Sequence, residues 1–501
     1  MNVVRKKSLF NLFGGVIVVL WLIMMGLLVK KVNFTDFSGQ ADFLDKTSNI
    51  SAPSSDWMEI YLRDEKVGYS VNHVSLVEDD YLIREEIFLK LNLMGQASVL
   101  HSITSCVVGH EFFLKTFKFK MTSGAVAFQI SGNVEDDRMV LEIGEGKTRR
   151  RKSIQLSGRP VIGAALAQFF KCRHVEVGQS FTFPIFDPST MAQKEMTLEV
   201  KARETLTINR IGYDAFRLET DMWGHNLTFW LDKDGSVLRQ EGFMGMTLVR
   251  SSADAAPRGI KGSSGSDLYE QVAVRVKKRL PRPHRLTYLK LRVSGLDETD
   301  FDTAVLDEGR QKFQEGIIEI MKEKVPLKES SMLPYVDLSE EMKLFLEPEI
   351  GIESDGKAIT EKAREITGDA RDPVTVAKKL LEWVYGNIEK MPVITVPSAE
   401  EVLKTRVGDC NEHAVLLTAL LRASGIPAGL CVGLVYARGM FLYHAWCEIY
   451  LGEWISADPT LNQIPADVSH IRLVKGGLER QVEIISLVGK IKLEVLEYRD
   501  R

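Results

Sequence analysis

Apolar and polar positions divide the chain into three regimes. Leu9 to Val29 is an uninterrupted run without charge. About 20 such residues cross the hydrocarbon core of a bilayer. Arg5, Lys6 and Lys7 precede the run and Lys30 and Lys31 follow it. With the amino terminus added, the charge excess predicts a single-pass anchor at residues 9–29, with a cytoplasmic tail at 1–8 and the rest outside the cytoplasmic membrane. The rival reading is a cleaved signal peptide, but no small-x-small site closes the run at Gly26-Leu27-Leu28-Val29-Lys30. No cysteine stands here for lipid attachment. Residues 30–56 are polar, with Ser, Thr, Gly and Pro, and read as a linker.

From Trp57 the period becomes two. Trp57-Met58-Glu59-Ile60-Tyr61-Leu62, Tyr81-Leu82-Ile83-Arg84 and Phe117-Lys118-Phe119-Lys120-Met121 alternate as strands do. Asp234-Gly235, between two alternating runs, predicts a hairpin. One short helix is predicted at Val161–Phe170. Residues 57–252 therefore form an antiparallel β domain, a curved sheet or partial barrel, read as a structural or docking module. Residues 253–267 are rich in Ala, Gly and Ser and mark a linker. Arg285 to Val293 alternates again, so 268–338 is assigned to a small β or connecting subdomain.

The third regime, 339–501, is helical at first. Asp372-Pro373 is an N-cap followed by Pro at the first helical position, and Val376, Leu380, Leu381 and Val384 continue at helical spacing. Ser398-Ala399-Glu400-Glu401 is a capping box. A further helix opens at Cys410 and stops at Ser424-Gly425, with Pro427 beyond. Ala428–Tyr436 and Tyr443–Tyr450 then form a hairpin around Arg438-Gly439. The fold class is α+β: a transmembrane helix, an antiparallel β-rich domain and a C-terminal α+β unit.

Composition changes little in this picture. The formal net charge of −4 over 501 residues gives no reason to expect nucleic acid as a partner. Five scattered cysteines, Cys106, Cys172, Cys410, Cys431 and Cys447, form neither a disulfide framework nor a CxxC zinc pattern. With Cys410 free, at most two bridges could form, and buried free thiols are the expected state of the other four. The basic clusters Lys147–Lys152 and Arg275–Arg282 read as solvated loops rather than lipid-headgroup sites. No cofactor and no metal are expected.

The chemistry lies in Thr405-Arg406-Val407-Gly408-Asp409-Cys410-Asn411-Glu412-His413. Gly408 permits a tight loop, and Asp409 caps a helix whose first residue is Cys410. A helix N-terminus favours negative charge and is expected to lower the pKa of a thiol placed there. Such a nucleophile needs a base, and the base an orienting group. His444 lies on one predicted strand and Asp458 beyond the next. A three-residue loop, Leu451-Gly452-Glu453, sets Trp446 opposite Asp458 and makes His444 the diagonal neighbour on the same face, about 7–8 Å away. Glu448, on the face of His444, is the alternative orienter. His413 is a rival base, and a Cys410/His413/His444 metal set matches no common zinc spacing.

Arg406-Val407-Gly408-Asp409-Cys410, Leu420 to Ala428, His444-Ala445-Trp446 and Asp458-Pro459-Thr460, in this order, resemble the transglutaminase-like superfamily over roughly 340–465. The resemblance implies a papain-like thiol fold with Cys410 as nucleophile, His444 as base and Asp458 as orienter. Animal transglutaminases carry Trp directly after the nucleophile; this chain has Asn411. The expected activity is a thiol peptidase, amidase or acyltransferase acting on peptides or proteins of the cell envelope on the periplasmic side. The alternative is a non-catalytic peptide-binding or scaffold module.

Overall fold

The computed structural model describes residues 54–500, apart from 145–148, 223, 263–266, 297–300, 327–331, 478–479 and 481. The predicted tail at 1–8, the anchor at 9–29 and nearly all of the linker at 30–56 lie outside the described residues. No described helix is long and apolar enough to cross a membrane.

Strong alternation from Ser54 to Ser251 produces one fifteen-stranded sheet. Two meanders build it. The first runs from Ser54–Leu62 to Arg150–Gln155, the second from Val161–Ile162 to Met246–Ser251. They join where Ser54–Leu62 pairs antiparallel with Met246–Ser251, Trp57 opposite Ser251 and Leu62 opposite Met246. The predicted short helix is Gly163–Lys171. Its Phe169 and Phe170 pack edge-on against Phe183 and Phe181, and one apolar cluster joins them to Ile83, Phe117, Ile130 and Leu141 of the first meander and to Leu198, Leu218 and Leu231 of the second. A sheet whose two ends share one core is curled around the helix, as the predicted partial barrel requires.

The C-terminal unit has its own core. The helices Lys357–Thr367, Pro373–Asn387, Ala399–Thr405 and Cys410–Ala423 pack with a four-stranded sheet in the order Trp454–Ala457, Met440–Tyr450, Ala428–Ala437, Ile471–Lys475. Caps set the helix starts: the Asp372 and Ser398 side chains accept from the Thr375 and Glu401 amides. Arg438 and Gly439, both at positive φ, make the two-residue turn between the long strands, the conformation a tight hairpin needs. Ala414, Val415, Leu416, Leu417, Ala419, Leu420 and Leu421 of the Cys410 helix are fully buried, so this helix is the centre of the unit. Burying one such leucine contributes about 1.5–3 kcal/mol.

A second four-stranded sheet joins Leu286–Ser294, Gln311–Gln314 and Ile317–Met321 to the last strand, Lys492–Asp500. Its Leu289, Leu291, Ile318 and Ile320 enter the same core as the Cys410 helix. The segment 268–338 is thus completed by the chain's far end.

The β domain docks on the C-terminal unit through the loop Met391–Pro397. The Ile394 amide donates to Ser123 Oγ at 3.1 Å, and Ile394 and Val396 pack into two β-domain clusters. Arg150, from the first basic cluster, pairs with Asp355.

Gly433 faces Ile471 so closely that a Cβ would lie 1.9 Å from the Ile471 carbonyl oxygen. Gly433→Ala is expected to cost about 1–3 kcal/mol through forced separation of the strands. Urea denaturation checks this; an unchanged midpoint contradicts the close approach.

Candidate active site

The Cys410 helix begins where two short segments, Glu389–Lys390 and Val407–Gly408, pair in parallel and fix the incoming chain. Asp409 Oδ1 accepts from the Asn411 amide at 3.0 Å, while the Asp409 amide donates to Glu412 Oε2 at 2.9 Å. This is a complete capping box. A Cβ at Gly408 would lie 2.2 Å from the Glu412 Cβ, which makes the glycine obligatory here. Tyr269, beyond the 253–267 linker, donates its hydroxyl to Asp409 Oδ2 at 2.9 Å and packs against Ile60, Leu89 and Leu91 of the β domain.

His444 stands on Met440–Tyr450. The three-residue loop 451–453 pairs Tyr450 with Trp454 and Cys447 with Ala457, so the register sets Trp446 opposite Asp458, as the sequence predicts. His444 Nε2–H donates to Asp458 Oδ2 at 2.7 Å. Asp458 Oδ1 accepts from the Thr460 and Leu461 amides at 2.7 and 3.0 Å. Burial alone would push this carboxyl up. The charge and hydrogen bond of His444, joined by those of His470, outweigh burial and hold it well below the usual carboxylate range.

Cys410 is partly buried, and the Ala445 amide, next to His444 on the neighbouring strand, is placed to favour its thiolate. The structure thus brings all three expected residues to one place. Among the described contacts the sulfur has no direct hydrogen bond to His444, whose Nδ1 lies across the ring from Asp458. The thiol differs from expectation. Burial, then the charge of Asp409, push its pKa well above the ordinary value, and the Ala445 amide offsets this only in part. The helix N-terminus does favour a thiolate, but two buried carboxyl groups, Asp409 and Glu412, flank it. Burial and Asp409 likewise push Glu412 up.

The alternatives have other occupations. Glu448 pairs with Arg472 and Lys475, so it is not the orienter. His413 Nδ1–H donates to the Asp409 carbonyl at 2.7 Å, and burial pushes its pKa down. It sits in the helix as a neutral ring tied to its own N-cap. All five cysteines are free thiols.

His470 has no counterpart in the sequence reading. Its Nε2 donates to the same Asp458 Oδ2 at 2.9 Å, and its Nδ1 to the Asp467 carbonyl at 3.1 Å. Burial lowers its pKa, but the bonds to Asp458 and Asp467 prevail and raise it to about 9. Asp467 is held low in turn, chiefly by His470 against its own burial. The only local signal is a histidine directly before the alternating run Ile471–Lys475, and no spacing rule links it to Asp458.

His444, Asp458 and His470 place their ligand atoms within 4.8 Å of one another. Ligands of a tetrahedral zinc at about 2.0–2.2 Å are spaced about 3.3 Å apart. Here both ring nitrogens are hydrogen-bonded to one carboxylate oxygen at 2.7 and 2.9 Å. The geometry is that of a hydrogen-bonded relay rather than a metal site.

Residues 360–459 match the family model of the transglutaminase-like superfamily, and residues 119–254 match that of a protein family of unknown function, DUF3108. The C-terminal unit therefore carries a transglutaminase-like domain, a thiol-enzyme family in general terms. Similar solved structures include a proposed cysteine protease from Cytophaga hutchinsonii, 18% identical, with a TM-score of 0.29 over 43% of this chain and 86% of that one. The periplasmic domain of TgpA from Pseudomonas aeruginosa, bound to ethylmercury, is 17% identical, with a TM-score of 0.24 over 39% and 91%. A β-barrel-like DUF1849 protein from Brucella abortus is 11% identical, with a TM-score of 0.30 over 40% and 95%. No curated protein matches the chain.

A pKa raised from 6.5 to about 9 means that protonated His470 stabilises the fold fully below pH 6.5, and that this contribution fades as pH rises through 9. The shift corresponds to about 3 kcal/mol. Wild type is expected to lose that much more stability than His470→Gln between pH 6.5 and 9.5 in parallel urea titrations. Parallel curves would contradict it.

Proposed function

We propose that this protein is a thiol acyl-transfer enzyme acting on amide bonds. His444 removes the proton of Cys410 through Nδ1, and the sulfur attacks the amide carbonyl. His444 returns that proton to the departing amine, which leaves a thioester on Cys410. Water or a second amine then resolves the thioester. Asp458 holds the imidazole in the tautomer with hydrogen on Nε2 and Nδ1 free. The backbone N–H of Cys410 is the generic oxyanion donor.

The observation that carries this reading is the 2.7 Å bond from His444 to buried Asp458, with Cys410 opening the helix that packs against the His444 strand. Burial and the Asp409 charge oppose a standing thiolate at Cys410, so the mechanism has His444 take the thiol proton as the sulfur attacks. Peptides or proteins of the cell envelope are the proposed substrates, with residues 9–29 as the membrane anchor and the described domains on the periplasmic side. Asn411, where animal transglutaminases have Trp, favours water as acceptor.

The partly buried thiol, with burial opposing its ionisation, also suits a second reading, a peptide-binding module whose triad serves the fold. Cys410→Ala separates the two. Under the enzyme reading it abolishes turnover, a loss of at least about a thousandfold, and comparative mass spectrometry of the cell envelope shows altered peptide ends or isopeptide bonds. Identical envelope peptide profiles in wild-type and Cys410→Ala cells would sink the enzyme.

A further inference from the structure

We infer that His470 is a second positioning residue for this reaction: its charged ring fixes the Asp458 Oδ2 that orients His444, and so tunes the base from behind. This rests on the acyl-transfer reading. It adds a residue outside the segment 360–459 that matches the family.

Hydrogen-bond counting sets the charge state. A neutral imidazole has one N–H, an imidazolium two. The two nitrogens of His470 face oxygens on opposite sides: Asp458 Oδ2 at 2.9 Å from Nε2, and the Asp467 carbonyl at 3.1 Å with Asp467 Oδ1 at 3.4 Å from Nδ1. Neither carbonyl nor carboxylate oxygen can donate, so only the doubly protonated ring satisfies both partners. The ring is buried, with Trp446 edge-on at 5.2 Å, so water does not screen its charge.

The position is fixed from several sides. His470 directly precedes Ile471–Lys475, which pairs with Ala428–Ala437. The Arg472 amide donates to Gln311 Oε1 at 2.9 Å, and the Arg472 guanidinium is clamped by Glu448. Arg310 donates to the His470 carbonyl at 3.3 Å and pairs with Glu323. Asp467 Oδ2 accepts from Gln463, and Gln463 shares two backbone bonds with Asp458. Asp458, Asp467 and His470 therefore move as one piece.

The consequence for His444 follows from charge. The two rings lie 5.8 Å apart, centroid to centroid, and share one carboxylate oxygen. The cation of His470 sits on the same Asp458 Oδ2 that accepts from His444, so it fixes the oxygen from which His444 is oriented.

The test uses the detergent-solubilised full chain. Iodoacetamide alkylation of Cys410 is followed by mass spectrometry from pH 5 to 10 in wild type, His470→Gln and His470→Lys. Removing a cation raises the proton affinity of both thiol and imidazole. The onset of alkylation in His470→Gln is therefore expected about one pH unit higher, with His470→Lys returning it toward wild type. An unchanged onset in folded His470→Gln overturns the inference. Should circular dichroism show that His470→Gln does not fold, ¹⁵N-histidine spectra of the wild type at pH 7.5 decide. Two protonated nitrogens on His470 support it; one overturns it. If Cys410 is not alkylated selectively in wild type, the acyl-transfer reading fails, and the spectra still judge the state of His470 separately.

Discussion

A fully buried carboxylate, Asp458, is the constraint on which the C-terminal unit depends. Removing such a charge from water is costly unless hydrogen bonds replace the solvent. Four donors do so: His444, His470 and the amides of Thr460 and Leu461. Each demands something of the chain. The two amides require a tight turn directly after Asp458. His444 requires the three-residue loop that sets the strand register. His470 requires a return to the same oxygen twelve residues later, with Gln463 and Asp467 bracing the path.

Cys410 obeys a different balance. The capping box that starts its helix places two buried carboxyl groups beside the sulfur, so the cap that positions Cys410 also disfavours its thiolate. The proposed mechanism answers this conflict by having His444 remove the proton as a general base rather than relying on a standing thiolate. The site is not isolated from the β domain. Tyr269 binds the same cap and packs on β-domain strands, and the Met391–Pro397 loop docks between the two units with its Met391 amide on the Gly408 carbonyl. The chain segment that leads into Cys410 therefore contacts both.

Local chemistry made much of this legible. Gly408 and Asp409 announced the helix start; Arg438-Gly439 announced the hairpin; loop length gave the pairing of Trp446 with Asp458. Alternation gave the strands of the β domain, though not their closure, because whether two sheet ends meet depends on what the helix at Gly163–Lys171 fills. What stayed hidden were contacts between distant residues. Lys492–Asp500 pairs with a strand some 200 positions earlier, Tyr269 reaches across a linker, and His470 converges on Asp458 by a path that leaves no periodic signal. The thiol environment was misjudged for a related reason: the helix-terminus rule is local, whereas burial is a property of the whole fold.

The most direct measurement is acyl trapping. The full chain is mixed with p-nitrophenyl acetate at neutral pH, quenched in acid and mapped by mass spectrometry. The account predicts an acetyl group on Cys410 in wild type and its loss in His444→Ala, with equal thiol content in both. An acetyl group absent from Cys410, or present equally without His444, would contradict a base-activated thiol at this site.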